Sequence, residues 1–322
     1  MAKPKVAFYW CSSCGGCEEA VVDLNEGVLK VLDAVDIVFW PVAIDTKYHD
    51  VEKFADGELT VSFINGAIRM DEQEEIAKLL RRKSQIVIAF GACAQLGGIP
   101  GLANFYDRDS ILRRAYLEVP TMANPDKIIP QETTKENGRT LTIPRFWERV
   151  KMLSDVIDVD YFLPGCPPMP ETINDALAAL LGGKMPPKGS VLSPSRNLCR
   201  ECPRRDKKPE VLSIDRIRRI HEVEVGPDEC FLAKGVICVG PATRAGCGER
   251  CMKANMPCRG CYGPCDDVSD QGAAFIASLA SMLDTKDEKK AAEIFSTFDD
   301  MAGTVYRFSL PSSLVQKGDL LK

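Results

Sequence analysis

The sequence predicts an α/β protein: a flavodoxin-like domain with a parallel sheet, followed by a small, irregular, cysteine-rich domain. Two observations predict the first part. Short runs rich in β-branched and aromatic residues alternate with stretches of helical period through the first half. That alternation implies parallel strands with helices crossing over on both faces. The second part shows as a proline-rich linker, MPPKGSVLSP (185–194), after which nine of the fourteen cysteines fall between Cys199 and Cys265. The predicted domains are therefore 1–184 and 185–322.

The strands read in order as Val6–Trp10, Ile37–Val42, Thr60–Ile64, Ile86–Phe90 and Tyr161–Leu163. Between them, Glu18 to Ala34 repeats Val21, Leu24, Val28, Val31 and Leu32 on one helical face. The segment from Asp71 to Lys83 begins DEQEE and ends RRK, complementing a helix dipole at both ends. Glu171 to Leu181 forms a further helix that stops at Gly182-Gly183. From Asn104 to Val150 the chain reads as an irregular surface insertion with a KENGR turn. The region from the linker to about Asp270 has few strands and little apolar sequence, so bound metal clusters are expected to hold it in shape. Two helices (QGAAFIASLASML and DEKKAAEIFSTFDDMA) and a short extended tail follow.

Composition narrows the function classes. A net charge of −5 gives no footprint for nucleic acid. No apolar stretch reaches membrane-spanning length, Ala273–Leu283 being short and broken by serines. MAKPKVAFYWC passes straight into a strand with no export signal visible, so a cytoplasmic location is expected. Thiols in a reducing compartment bind metal rather than pair as disulfides. With fourteen cysteines and only two histidines, the chemistry points to iron–sulfur clusters.

Strands of a parallel sheet end on one edge, where ligands bind. Cys14 and Cys17 follow the first strand, Cys93 follows QIVIAFGA, and Cys166 follows VDYFLPG. These loops can converge into a cage of four thiolates suited to a 4Fe-4S cluster. The flanking glycines permit close backbone approach, Pro167 and Pro168 stiffen the last loop, and a helix starting near Glu18 aims N–H groups at an anionic cluster. Zinc also fits four thiolates. Redox work by the CxxC pair alone leaves Cys93 and Cys166 unexplained, and no phosphate-cradling GxxxxGK[ST] or GxGxxG is present.

CxxC after the first strand, GxCAxxGGIPG and PGCPP together resemble the small subunit of nickel–iron hydrogenases. The same N-terminal pattern resembles the cluster-bearing small subunit of respiratory complex I, which has adjacent cysteines at the first loop and lacks a long cysteine-rich second half. The order here is Cys199-x₂-Cys202, Cys230-x₇-Cys238-x₈-Cys247, then Cys251-x₆-Cys258-x₂-Cys261-x₃-Cys265. Cys238-Val-Gly-Pro241 and PCRGCYGP match the family's distal and medial motifs, so the resemblance runs through Pro264.

The resemblance implies three 4Fe-4S clusters: a proximal one on Cys14, Cys17, Cys93 and Cys166, a distal one on Cys199, Cys202, Cys230 and Cys238, and a medial one on Cys247, Cys251, Cys258 and Cys261. Two features depart from many relatives. Cys199 stands where they carry a histidine, and Cys251 can complete a medial set that they close with proline. Each added thiolate makes a cluster harder to reduce. Twelve ligands leave two spare thiols, Cys11 and either Cys265 or Cys251.

The chain resembles the methyl-viologen-reducing type that does not reduce coenzyme F(420), a type tied to methanogenesis. That similarity implies an electron-transfer subunit with no H₂-activating site of its own. Its partners would be a large subunit bearing the nickel–iron centre and a small iron–sulfur delta subunit that joins it to heterodisulfide reductase. The alternatives are the small subunit of a deazaflavin- or NAD(P)-reducing hydrogenase and, more remotely, a zinc-structured scaffold. Among other residues, Glu18 and Glu19 read as helix-start carboxylates or proton carriers near the large subunit. Phe8 and Trp10 read as core strand residues, His49 as a surface loop residue and His221 as a residue at a helix end.

Overall fold

The computed structural model describes residues 3–319. Nine strands occur among them: β1 (Lys5–Trp10), β2 (Asp36–Phe39), β3 (Leu59–Asn65), β4 (Ile68–Met70), β5 (Ser84–Phe90), β6 (Thr133–Glu136), β7 (Arg139–Thr142), β8 (Phe146–Lys151) and β9 (Tyr161–Leu163). Five of them make one sheet in the order β2-β1-β3-β5-β9, and every pairing in it is parallel. This is the flavodoxin-like order expected from the sequence. β2 stops short of the predicted Val42 because the chain turns at Trp40, whose carbonyl accepts from the Ala43 and Ile44 amides.

Alternation along the strands divides the sheet between two cores. Val6, Phe8, Phe63, Ile88 and Phe90 face one side with Ala20, Val21, Ile173 and Leu177. Ala7, Tyr9, Ile64, Val87 and Ala89 face the other with Ile76, Ala77 and Leu80 of the helix Asp71–Lys83. Asp160, just before β9, fastens this second layer. It accepts from Arg81 at 2.6 Å, Lys188 at 2.6 Å and the Val87 amide at 2.8 Å. Burial pushes its carboxyl upward, but these three donors outweigh burial and hold it below the usual range.

Because that folded value is depressed, the stabilisation is complete above the unfolded value of about 3.9 and fades as pH falls through the folded one. We expect Asp160→Asn to lower stability by about 3 kcal/mol at neutral pH. Urea titrations of both proteins should show the gap closing below about pH 3.9.

Several expectations change. The predicted helix 18–34 is two helices, Gly16–Val22 and Gly27–Ala34, broken where Asn25 adopts φ 52°. Asparagine tolerates that left-handed geometry and Gly27 restarts the chain, so periodicity alone hid the break. The insertion is less irregular than it reads. Asn137-Gly138 closes an exposed β6–β7 hairpin, and β8 pairs antiparallel with β4.

The second region does build apolar clusters. One gathers Ile214, Ile217, Phe275, Leu279 and Leu310, and another gathers Leu198, Val225, Phe231 and Met252, with cysteines packed against both. The tail is not extended: it forms the short helix Met301–Val305, a run of turns and the helix Leu314–Asp319. No helix among the described residues is long and apolar enough to cross a membrane.

Candidate metal centres

β1, β5 and β9 end on one edge of the sheet and deliver the proximal cysteines there. Two backbone bonds tie the loops after β5 and β9 together: Gly91 N–H to Leu163 O at 2.8 Å, and Ala92 N–H to Gly165 O at 2.7 Å. Cys17 and Cys93 lie within the first turns of the helices Gly16–Val22 and Ala92–Leu96, not in open loops. Both are buried, whereas Cys14 and Cys166 are exposed, so the set opens at the surface.

Burial raises the Cys17 thiol well above its ordinary value, and Cys93, Cys166 and Cys14 each raise it further. Cys93 is pushed up to about 12 by burial, then by Cys166 and Cys14. Cys17, Cys93 and Cys166, raised by burial and by neighbouring thiols, are poor anions alone. A bound cation would remove that penalty.

Two glycines keep the space open. Gly91 has φ +88°, and a Cβ there would lie 2.4 Å from Cys17 Sγ. At Gly98 (φ +58°) a Cβ would lie 2.4 Å from Cys93 Sγ. The C-terminal region supports the same loop, since Gly98 N–H donates to Phe308 O at 3.0 Å and Pro311 packs on Gly97. Trp10 is half exposed, not in the core, and lies over Gly15 of the CxxC turn.

The distal cysteines share a cavity of about 170 Å³ lined by Cys199, Cys202, Cys230 and Cys238 with Phe231 and Leu232. Burial pushes Cys199 to about 12, with Cys238, Cys202 and Cys230 adding to it. Cys238 rises only to about 11, because backbone N–H groups of Gly240 and Cys258 oppose its burial. The Cys258 amide lies 3.3 Å from Cys238 Sγ.

The medial cysteines sit between the other two sets. Cys261 is raised to about 12 by burial, then by Cys166, Cys247 and Cys251. Cys258 is raised well above its usual value by burial, Cys238 and Cys261. Thiols therefore neighbour one another in an unbroken series from Cys14 through Cys166, Cys261, Cys258 and Cys238 to Cys199. Cys265 stands outside it: burial raises it, and its charged neighbours are Arg244, Asp267, Asp266 and Arg200. Cys11 is buried in the apolar layer with Tyr9 and Ile64. No three His, Cys, Asp or Glu side chains among the described residues are close enough to hold a single metal ion.

Two buried arginines that sequence reading missed organise the cysteine-rich region. Arg204, within the basic run 200–208 that reads from the sequence as a solvated loop or a docking patch, is 2% exposed. It donates to Gly226 O at 2.8 Å, Glu229 O at 2.7 Å, Met252 O at 3.3 Å and Asn255 Oδ1 at 2.5 Å, and stacks 4.3 Å over Phe231. Arg244 bonds Ser193 O at 3.0 Å, Pro264 O at 3.1 Å and the Asp266 carboxylate, joining the linker to the loop after Cys261. The only available signal was the position of such charged residues beside cysteines. His221 lies in an exposed turn and not at a helix end, and His49 lies on the short helix Tyr48–Glu52. Glu18 is buried, accepting from Trp40 Nε1 and from Asn65 Nδ2 at 2.8 Å, while Glu19 is exposed.

Known proteins resemble this chain along most of its length. The family described as "NADH ubiquinone oxidoreductase, 20 Kd subunit" matches residues 14–180. The iron–sulfur subunit of the F420-non-reducing hydrogenase of Archaeoglobus profundus is 37% identical over 97% of this chain and 98% of the relative. The equivalent subunit of the F420-non-reducing hydrogenase of Methanothermobacter thermautotrophicus is 40% identical over 97% of this chain and 96% of its own. Among solved structures, the NiFeSe hydrogenase of Desulfovibrio vulgaris Hildenborough shares the fold, with a TM-score of 0.51 at 19% identity over 82% of this chain and 94% of that one. With its parallel sheet, and matched along nearly the full length of such relatives, the chain belongs to the family of small iron–sulfur subunits of the F420-non-reducing hydrogenases.

Proposed function

We propose that this chain is the electron-conducting small subunit of a nickel–iron hydrogenase and holds three 4Fe-4S clusters. The observation that carries the reading is the unbroken series of neighbouring thiols from Cys14 to Cys199. In this reading Cys14, Cys17, Cys93 and Cys166 hold the proximal cluster within residues 1–184. Cys247, Cys251, Cys258 and Cys261 hold the medial one, and Cys199, Cys202, Cys230 and Cys238 the distal one, within 185–322. The residues fit the group: the donors are all thiols, the distal cavity is far larger than one ion needs, and Gly91 and Gly98 leave sulfur-sized room.

Once bound, the clusters supply one-electron carriers for electrons released from H₂. The chain spaces them, keeps water from Cys17, Cys93 and Cys258, and sets their surroundings. The H₂-activating metals belong to a partner large subunit, which would cover the exposed Cys14 and Cys166. A small iron–sulfur delta subunit and heterodisulfide reductase complete the proposed route, in the cytoplasm.

Metal and sulfide analysis of the purified complex tests this. We expect about twelve irons and twelve sulfides in this chain, with broad brown absorbance. Stoichiometric zinc in a colourless protein would overturn it. The medial set has its own test. Cys251→Ser should convert one cluster to a three-iron EPR signal with loss of about one iron, and Cys265→Ser should leave the spectrum unchanged. The reverse pattern would exchange their roles. Cys199→His should raise the distal potential in a redox titration, since imidazole replaces a negative ligand.

A further inference from the structure

We infer that the rim of the cavity shared by Cys199, Cys202, Cys230 and Cys238 is a docking surface for an acidic protein electron acceptor. This rests on the proposed electron-conducting role and adds the chemistry of the partner. The whole chain carries a net charge of −5, yet six basic residues stand against two acids between positions 196 and 208. Arg196 is paired with Glu201, Lys207 lies 2.5 Å from Asp228, and Arg204 is buried against carbonyl oxygens. That leaves Arg200, Arg205 and Lys208. All three are exposed, all three line the cavity mouth, and no carboxylate pairs with them among the described residues.

A positive rim over an electron exit steers an acceptor whose docking face is negative, and it repels cationic ones. Exposed cations around a largely apolar cavity suit a protein surface bearing carboxylates, which several separated cations can engage together.

The test uses the purified complex of this chain with its nickel–iron large subunit alone, which leaves the rim uncovered, and a small acidic ferredoxin as probe. Association is measured by biolayer interferometry, independently of turnover. The wild-type on-rate should fall about tenfold or more between low and high salt. The R200E/R205E/K208E variant should associate about tenfold or more slowly at low salt, while its H₂-dependent reduction of dicationic methyl viologen should become faster. An unchanged on-rate with visible absorbance intact overturns the proposal, as does slowing of ferredoxin and viologen together.

Tight binding of inorganic phosphate at the rim with no ferredoxin association would assign a small anion instead and also overturn it. If charge reversal disturbs folding, R200Q/R205Q/K208Q decides: its on-rate should lie between the other two and lose most of its salt dependence. Failure of the underlying electron-conducting role would look different, as a wild-type complex without iron or without H₂-dependent reduction of either acceptor.

Discussion

A Gly91→Ala variant is expected to lose about four irons from this chain and to pass no electrons from H₂, although every cysteine is intact. The added methyl would stand 2.4 Å from Cys17 Sγ, with Gly165 O 3.4 Å away on the opposing loop. The backbone there has φ +88°, so an L residue is strained before any contact is counted. Cys17 is buried at the start of its helix and has little room to retreat. Gly57→Ala separates the two effects, because that glycine has φ +72° but no atom within 4 Å of a built Cβ. It should cost about 1 kcal/mol and no iron. Iron analysis and EPR of both variants make the comparison. Full iron content in Gly91→Ala would show that the proximal set tolerates displacement of a thiolate.

The second large effect is expected at Arg204. Its guanidinium fastens the loop leading to Cys230, through Gly226 and Glu229, to the turn after Cys251, through Met252 and Asn255. Arg204→Met keeps the apolar stem over Phe231 but strips these acceptors of their donor. Each buried carbonyl left unpaired costs about 1–3 kcal/mol, so the region should lose about 4 kcal/mol in all. We expect the variant to release its distal iron to a chelator at least tenfold faster than wild type, with the proximal EPR signal unchanged. Arg204→Lys should recover only part of the loss, since an ammonium cannot span acceptors set around a planar fork. Chelation at the wild-type rate would assign the fastening to the apolar cluster around Phe231 instead.

Much of this was legible in the sequence where local chemistry decides the outcome. Strand alternation at Val6–Trp10 and Ile86–Phe90, and the charge gradient from Asp71 to Lys83, each reflect forces acting within a few residues. The cysteine loops were legible because a parallel sheet brings its strand ends to one edge. The features that escaped depend on distant partners or on single conformations. Asn25 breaks a helix whose apolar period continues past it. Arg204 and Arg205 are adjacent in sequence, yet one is buried and the other solvated, and only the carbonyls of residues 226 to 252 decide which. The apolar clusters of the second region draw on residues as far apart as Ile214 and Leu310, a separation that no window reveals.

The support of the Cys93 loop by the last part of the chain bears on when the proposed proximal cluster could be inserted. Gly98 gains its amide acceptor from Phe308, and Gly97 its neighbour from Pro311. A ribosome must therefore add more than two hundred residues after Cys93 before that loop reaches its final shape. All four proximal thiols emerge long before the segment that secures one of them, so the first set to be translated is among the last to be finished. On the proposed assignment, cluster insertion at the sheet edge would be a reading of chain completion: a truncated product would carry the thiols but not the clamp.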